Sequence, residues 1–107
     1  MSQTHELVVD LVERGELRVS LHGLEELQAD DIRIRDVVSG VREAEIVEDY
    51  PDYPKGPCFL ALQRDSNGEP IHIVWGIPKD EDSPAVIITG YRPDETSWDD
   101  DFLRRRS

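Results

Sequence analysis

Along the chain the apolar positions keep helical spacing first and strand spacing later. Over residues 4–14, Leu7, Val8, Leu11 and Val12 form one stripe, with Thr4 placed to cap the start and Gly15 to end it, which predicts an amphipathic helix. Leu17, Val19 and Leu21 then alternate with Arg18 and Ser20, the period of a short half-buried strand, and lead into His22 and a helical turn over 22–28. Ile34, Val37, Val38 and Val41 return at helical spacing, with Arg33, Arg35, Asp36 and Arg42 on the other side, predicting a second amphipathic helix over 33–42. Residues 44–50 read as extended and stop at Pro51 and the stiff, turn-rich stretch 52–57.

The second half is plainer. Apolar runs at 58–64 and 71–77 are separated by Asp65-Ser66-Asn67-Gly68-Glu69, whose Asn-Gly pair supplies turn chemistry, so the segment predicts a β-hairpin. An acidic loop, 78–84, precedes a third run at 85–91. Three consecutive runs favour an antiparallel meander, with 44–50 as a fourth strand. The predicted fold class is α+β: N-terminal helices packed on one face of a three- to four-stranded antiparallel sheet. Residues 1–98 are expected to form a single domain and 99–107 a loosely held tail. In that tail the acidic block Asp99-Asp100-Asp101 precedes Phe102-Leu103 and the basic block Arg104-Arg105-Arg106. Acid before base suits a helix dipole, so a short helix is predicted, docked through Trp98 and Phe102 with the arginines in solvent.

Charge narrows the choice of partners. The 107 residues carry 12 Lys and Arg against 24 Asp and Glu, a formal charge of -12. Residues 1–57 hold 6 basic and 14 acidic side chains and residues 58–107 hold 6 and 10, so both halves are acidic. Such a field repels RNA and DNA, whose affinity comes largely from cations replacing phosphate counterions, and it favours a basic or metal-bearing protein partner. No apolar run approaches the roughly 20 residues that cross a bilayer, and Met1 to Glu6 has neither the basic start nor the apolar stretch of a signal peptide. A cytoplasmic protein without membrane contact is expected. The one cysteine, Cys58, excludes an internal disulfide and a thiolate zinc cluster, and at the head of an apolar run it reads as a small buried side chain.

Few side chains are left for chemistry. His22, where the first strand runs into a turn, and His72, on the strand face opposite Ile71, Ile73 and Trp75, can each act as a general base near neutral pH, or simply make a structural hydrogen bond. Tyr91 can relay a proton and Arg92 can stabilise charge developing on a phosphoryl group, the side-chain types expected of a metal-free RNA-cleaving surface. Ordinary strand-end residues fit the same positions. His5 reads as solvent-facing, and Tyr50 and Tyr53 as covers for one edge of the core. The acidic clusters lack calcium-loop spacing, and no phosphate-binding glycine loop, nucleophile elbow or zinc-binding histidine pair is present, so no cofactor or metal is expected.

Five motifs occur in order: Ser20-x-His22-Gly23, Ile32-x-x-x-Asp36-Val37, Ile46-Val47-Glu48-Asp49-Tyr50-Pro51, His72-Ile73-Val74 and Thr89-Gly90-Tyr91-x-Pro93-Asp94-x-x-x-Trp98. Over roughly residues 17–98 the chain thereby resembles a widespread bacterial and archaeal domain family of unknown function, whose members read S-x-H-A-x-x-R, E-D-Y-P, H-V-V and T-x-Y-x-P-D with a following Trp. That family is similar, more distantly, to the RelE/ParE and MqsR-like toxins, small α+β domains of which many are ribonucleases held inactive by an antitoxin. The resemblance implies a toxin-like fold, and set beside the charge of -12 it leaves two functions. One is an acidic protein-binding module, weakly catalytic or not at all, for a basic or antitoxin-like partner of the zinc-finger or helix-turn-helix kind. The other is a metal-independent endoribonuclease, with His22 or His72 as base, Tyr91 as relay and Arg92 as stabiliser. Glu26 stands where family members carry an arginine, which favours the first.

Overall fold

The computed structural model describes residues 2–106. Helix α1 (Gln3–Glu13) is capped by Ser2, whose Oγ accepts the His5 N–H at 3.1 Å. The cap is therefore two residues earlier than expected, and Thr4 is buried in the first turn. At the other end Gly15, at φ +77°, donates to the Val12 carbonyl at 3.0 Å while Glu16 donates to Leu11 at 2.9 Å. Both bonds satisfy end-of-helix carbonyls, and only glycine adopts that backbone conformation without strain. His5 faces inward, with its Nε2 2.8 Å from the Val41 carbonyl and its ring edge-on to Phe59, contrary to the solvent position expected.

Strand β1 (Leu17–Val19) leads directly into α2 (Leu21–Ala29), a full helix where a turn was expected. Ser20 is the reason. Its Oγ accepts the Gly23 N–H at 2.9 Å and donates to the Ile88 carbonyl at 2.8 Å, starting the helix and tying it to the last strand. Leu21 consequently lies on the helix and is exposed. Helix α3 (Ile34–Ser39) stops short of the predicted 42 at Gly40, which sits against the Gln63 side chain.

Strands β2 (Glu45–Tyr50), β3 (Cys58–Arg64), β4 (Pro70–Gly76) and β5 (Ala85–Tyr91) match the extended runs in the sequence. The sheet, however, has five strands in the order β1-β5-β4-β3-β2 and is mixed. β1 joins as an edge strand parallel to β5, with Leu17 opposite Ala85 and Val19 opposite Ile87. The three- to four-stranded antiparallel sheet expected from consecutive runs is corrected on this point. The β1–β5 pairing depends on contacts between segments some 68 residues apart, Ser20 N–H to Ile87 O and Ala85 N–H to Glu16 O, both at 3.0 Å, which no local pattern encodes.

One sheet face is the core. Phe59, Ala61, Ile71, Ile73, Trp75, Ala85 and Ile87 pack there with Val8, Leu11, Leu27, Ile32, Val37 and Val41 from the helical half. Buried Gln63 is satisfied within it, accepting from Trp75 Nε1 and donating to the Val37 carbonyl, each at 2.8 Å.

Beyond β5 the chain turns at Asp94, whose Oδ1 accepts from Thr96 and Ser97 and so caps the turn that delivers Trp98. The tail is a small hairpin, not the predicted helix: Trp98 bridges Arg105, Asp99 N–H donates to Arg104 O at 2.9 Å, and Phe102 has φ +60°. Trp98 is docked and buried, as its motif suggested. The arginines are not all free in solvent, since Arg105 pairs with Glu48 and Arg106 with Asp99 and Asp100.

Candidate functional site

The sheet face opposite the helices carries the polar motif residues, because strand alternation that buries Ile71, Ile73 and Trp75 turns His72 and Val74 to the other side. Register places them in three rows. Tyr91, His72, Leu62 and Glu45 form one; Thr89, Val74, Leu60 and Glu48 the next; and Arg18, Val86, Gly76, Cys58 and Tyr50 the third. The tail hairpin lies over the first two rows and leaves the third open.

His72 is fully buried in the first row. The Trp98 ring stands edge-on to it with centroids 4.4 Å apart, and Tyr91 lies on its other side at 5.3 Å. Its Nε2 is 2.8 Å from the Phe102 carbonyl, which can only accept, so Nε2 carries the proton. In the neutral ring Nδ1 is then an acceptor, and the Tyr91 hydroxyl donates to it at 3.2 Å. Burial pushes the His72 pKa down from 6.5, outweighing the Phe102 carbonyl, which favours the charged ring. Burial likewise pushes the Tyr91 phenol up.

The second row ends in an ion pair. Arg105 Nε donates to Glu48 Oε2 at 2.9 Å, and Tyr50 donates to Glu48 Oε1, also at 2.9 Å. The Arg105 hydrogen bond holds the Glu48 carboxyl below its ordinary value, and the bond to Glu48 raises the Tyr50 phenol. Thus Glu48, Tyr50, His72, Tyr91, Trp98 and Arg105 form one network that fastens the tail to the sheet.

Of the four residues singled out for catalysis, His72 and Tyr91 meet. His22 is exposed on α2, its Nε2 3.8 Å from Glu26. It lines neither groove of the open face. Arg92 is engaged elsewhere: Nε donates to Asp30 O at 3.0 Å, an Nη to Asp31 O at 3.1 Å and the other to Asp65 at 3.0 Å, while its backbone N–H donates to the Asp30 carboxylate. That guanidinium is a staple joining β5 to the α2–α3 and β3–β4 turns, which leaves it no free fork for a phosphate. Glu48 stood in a sequence motif without an assigned role, whereas Tyr50 was expected to cover an edge of the core and Trp98 to dock the tail. Arg105 was missed because nothing in an Arg-Arg-Arg run marks its middle member.

Two grooves adjoin the network. One, of about 340 Å³, is lined by Glu48, Tyr50, Leu60, Val74, Tyr91 and Arg105. The other, of about 390 Å³, lies over the open third row, and Tyr53, Cys58 and Ile88 border both. A third pocket, at the β2 edge, is lined by Asp36, Glu43, Glu45 and Asp65 together with Arg64. Among the described residues no group of three or more His, Cys, Asp or Glu side chains is placed to hold a metal ion. No helix among them is long and apolar enough to cross a membrane.

Residues 19–92 match a family described as a domain of unknown function (DUF4258). No curated protein and no solved structure matches the chain.

Proposed function

The chain belongs to the DUF4258 family, and from that premise we propose that it is a protein-binding module that takes an extended basic segment of a partner on its β2 edge. One observation carries the reading: β2 borders only β3, and along it and its following turn Glu45, Asp49 and Asp52 are exposed, with Glu45 also lining the acidic pocket. A peptide adding there as a further strand gains backbone hydrogen bonds, while its Lys and Arg side chains meet the carboxylates. The same charges repel a second copy of this chain and keep the edge from pairing with itself. A basic partner of the antitoxin kind, zinc-finger or helix-turn-helix, meets this requirement.

The test uses a synthetic peptide of alternating Lys and Val titrated into isotopically labelled protein. Amide shifts concentrated on β2, weakened by salt and lost in a Glu45→Lys/Asp49→Lys variant, are the expected result. Shifts spread elsewhere, or equal binding by the variant, overturn the reading.

The Tyr91–His72 hydrogen bond favours a second function, metal-independent RNA cleavage. In it Tyr91, at the groove wall, takes a proton from the attacking hydroxyl as its own passes to His72 Nδ1. His22 and Arg92 have no part. A group acting this way contributes roughly 10²–10⁴-fold, so RNA cleaved in the presence of chelator and spared to that degree by Tyr91→Phe is the outcome this reading requires.

A further inference from the structure

The third row of the open face borders an apolar groove. Arg18, Val86, Gly76, Cys58 and Tyr50 stand side by side across five strands, and the middle member has no side chain. A Cβ on Gly76 would meet Ile88 Cδ1 at 2.7 Å, the Pro57 carbonyl at 3.1 Å and Cys58 Cβ at 3.2 Å, so the bare backbone lets Ile88 and the 57–58 segment pack directly over β4. Above it lies the groove of about 390 Å³, within the range of small-molecule sites, with Val86, Ile88, Cys58 and Ile77 as its apolar lining.

The only charged residues on that lining are Arg18 and Lys55. Neither is within ion-pair distance of a carboxylate among the described residues, which is also true of Arg33, Arg35, Arg64, Lys79 and Arg104, but only Arg18 and Lys55 line together a groove that carries no acidic side chain. Two uncompensated cations beside one apolar hollow are out of keeping with a chain of charge -12. The wall that carries Lys55 and Tyr53 is also fixed in place. Gly56 N–H donates to Tyr53 O at 2.9 Å, Ile77 N–H to Pro57 O at 3.0 Å and Lys79 N–H to Lys55 O at 3.2 Å, so the 51–57 turn is laced to the end of β4. The hollow is thus preformed, which lowers the entropic cost of filling it.

We propose that this groove binds a small amphipathic anion, an apolar body seated on Val86, Ile88 and Ile77 with a single anionic head held by Arg18 and Lys55. The site is separate from the β2 edge and does not depend on partner binding there. Burial of the apolar body supplies affinity, and the cations select the charge of the head.

Octanoate serves as the probe, with octanol and octylamine of the same chain length as controls, followed by heteronuclear NMR on the full chain. Octanoate is expected to shift the amides of Arg18, Lys55, Gly76 and Val86, with octanol weaker and octylamine inactive. Arg18→Gln and Lys55→Gln, both at exposed positions, are expected to fold normally and to weaken octanoate by roughly tenfold each, the scale of one lost charge-assisted hydrogen bond. Equal affinity for octanol and octanoate, octanoate shifts confined to other surfaces, or unchanged binding by the two variants each overturn the assignment. A negative result here leaves the Lys-Val peptide experiment on β2 unaffected, and the reverse holds.

Discussion

Arg105 spans from the tail to β2, its guanidinium 4.7 Å from the Trp98 ring centroid and 2.9 Å from Glu48 Oε2. The cation shields one face of the indole, which stands nearly perpendicular to the His72 ring with centroids 4.4 Å apart. Three segments distant in sequence, the tail, β2 and β4, are joined by these contacts, so the tail stabilises the fold and sets which part of the open face stays accessible.

Replacement of Trp98 by Ala is expected to cost about 3–5 kcal/mol in a denaturant titration, the scale for removing a buried aromatic. Arg105→Ala should cost about 1 kcal/mol or less, because its pair with Glu48 is largely exposed. An equal cost for the two would show that the ion pair, not the indole, anchors the tail.

Stability is expected to fall as pH drops below neutral. His72 is neutral in the fold with its pKa below 6.5, so the unfolded chain binds the extra proton first. The stabilisation is complete above the unfolded value of about 6.5 and declines by up to about 1.4 kcal/mol per pH unit until the native value is reached. The groups facing His72 are Tyr91, Trp98, Glu48 and Arg105, and of these only Glu48 titrates in acid, below its ordinary 4.5. Its contribution, present above that value, is lost at lower pH, so the loss that begins near 6.5 belongs to His72 and a further loss sets in below 4.5. His72→Gln keeps a donor for the Phe102 carbonyl and should abolish the upper phase in pH-dependent unfolding curves while leaving the lower one.

Arg92→Ala should act on stability. Removing the staple takes the donors from the Asp30 and Asp31 carbonyls and from Asp65 Oδ2, while Oδ1 keeps the Asn67 and Glu69 N–H groups, an expected loss of about 1–3 kcal/mol. Arg92→Lys should recover only part of it, since an ammonium cannot reach three acceptors from one planar fork. His22→Ala, exposed and paired only with Glu26, should change the midpoint by less than about 0.5 kcal/mol.

The period of the pattern made β3, β4 and β5 legible, because Ile71, Ile73 and Trp75 alternate with His72 and Val74 wherever the strand is placed. It could not reveal that β1 pairs with β5, since three residues carry too little pattern to choose a distant partner. The tail misled for a different reason. Acid before base suits a helix, but Asp94 caps a turn and Trp98 finds a cavity beside His72, and burial of the indole outweighs a dipole effect of about 0.3–1 kcal/mol. Half of the candidate site was visible in the same way: His72 and Tyr91 lie opposite each other in register, whereas Arg105 arrives only through the tail's fold.

Two glycines with positive φ separate backbone strain from steric fit. Gly68, in the β3–β4 turn at φ +79°, has nothing within 4 Å of where a Cβ would lie. Gly68→Ala therefore meets only the conformational penalty, about 1 kcal/mol. Gly56 has φ +125°, and its Cβ would run into the Ile77 carbonyl and come within 2.7 Å of the Lys79 nitrogen. Backbone atoms cannot swing aside as a side chain does, so Gly56→Ala must lift the 51–57 turn off the end of β4. An expected loss of at least about 2–3 kcal/mol follows, since strain and a broken hydrogen-bond lacing add to the same change. Amide exchange should accelerate at Ile77 and Lys79, the two donors to that turn, and stay unchanged at Gly68. Equal destabilisation by the two substitutions would mean that the turn does not rest on β4, and with it the preformed wall bearing Lys55 and Tyr53 would be lost.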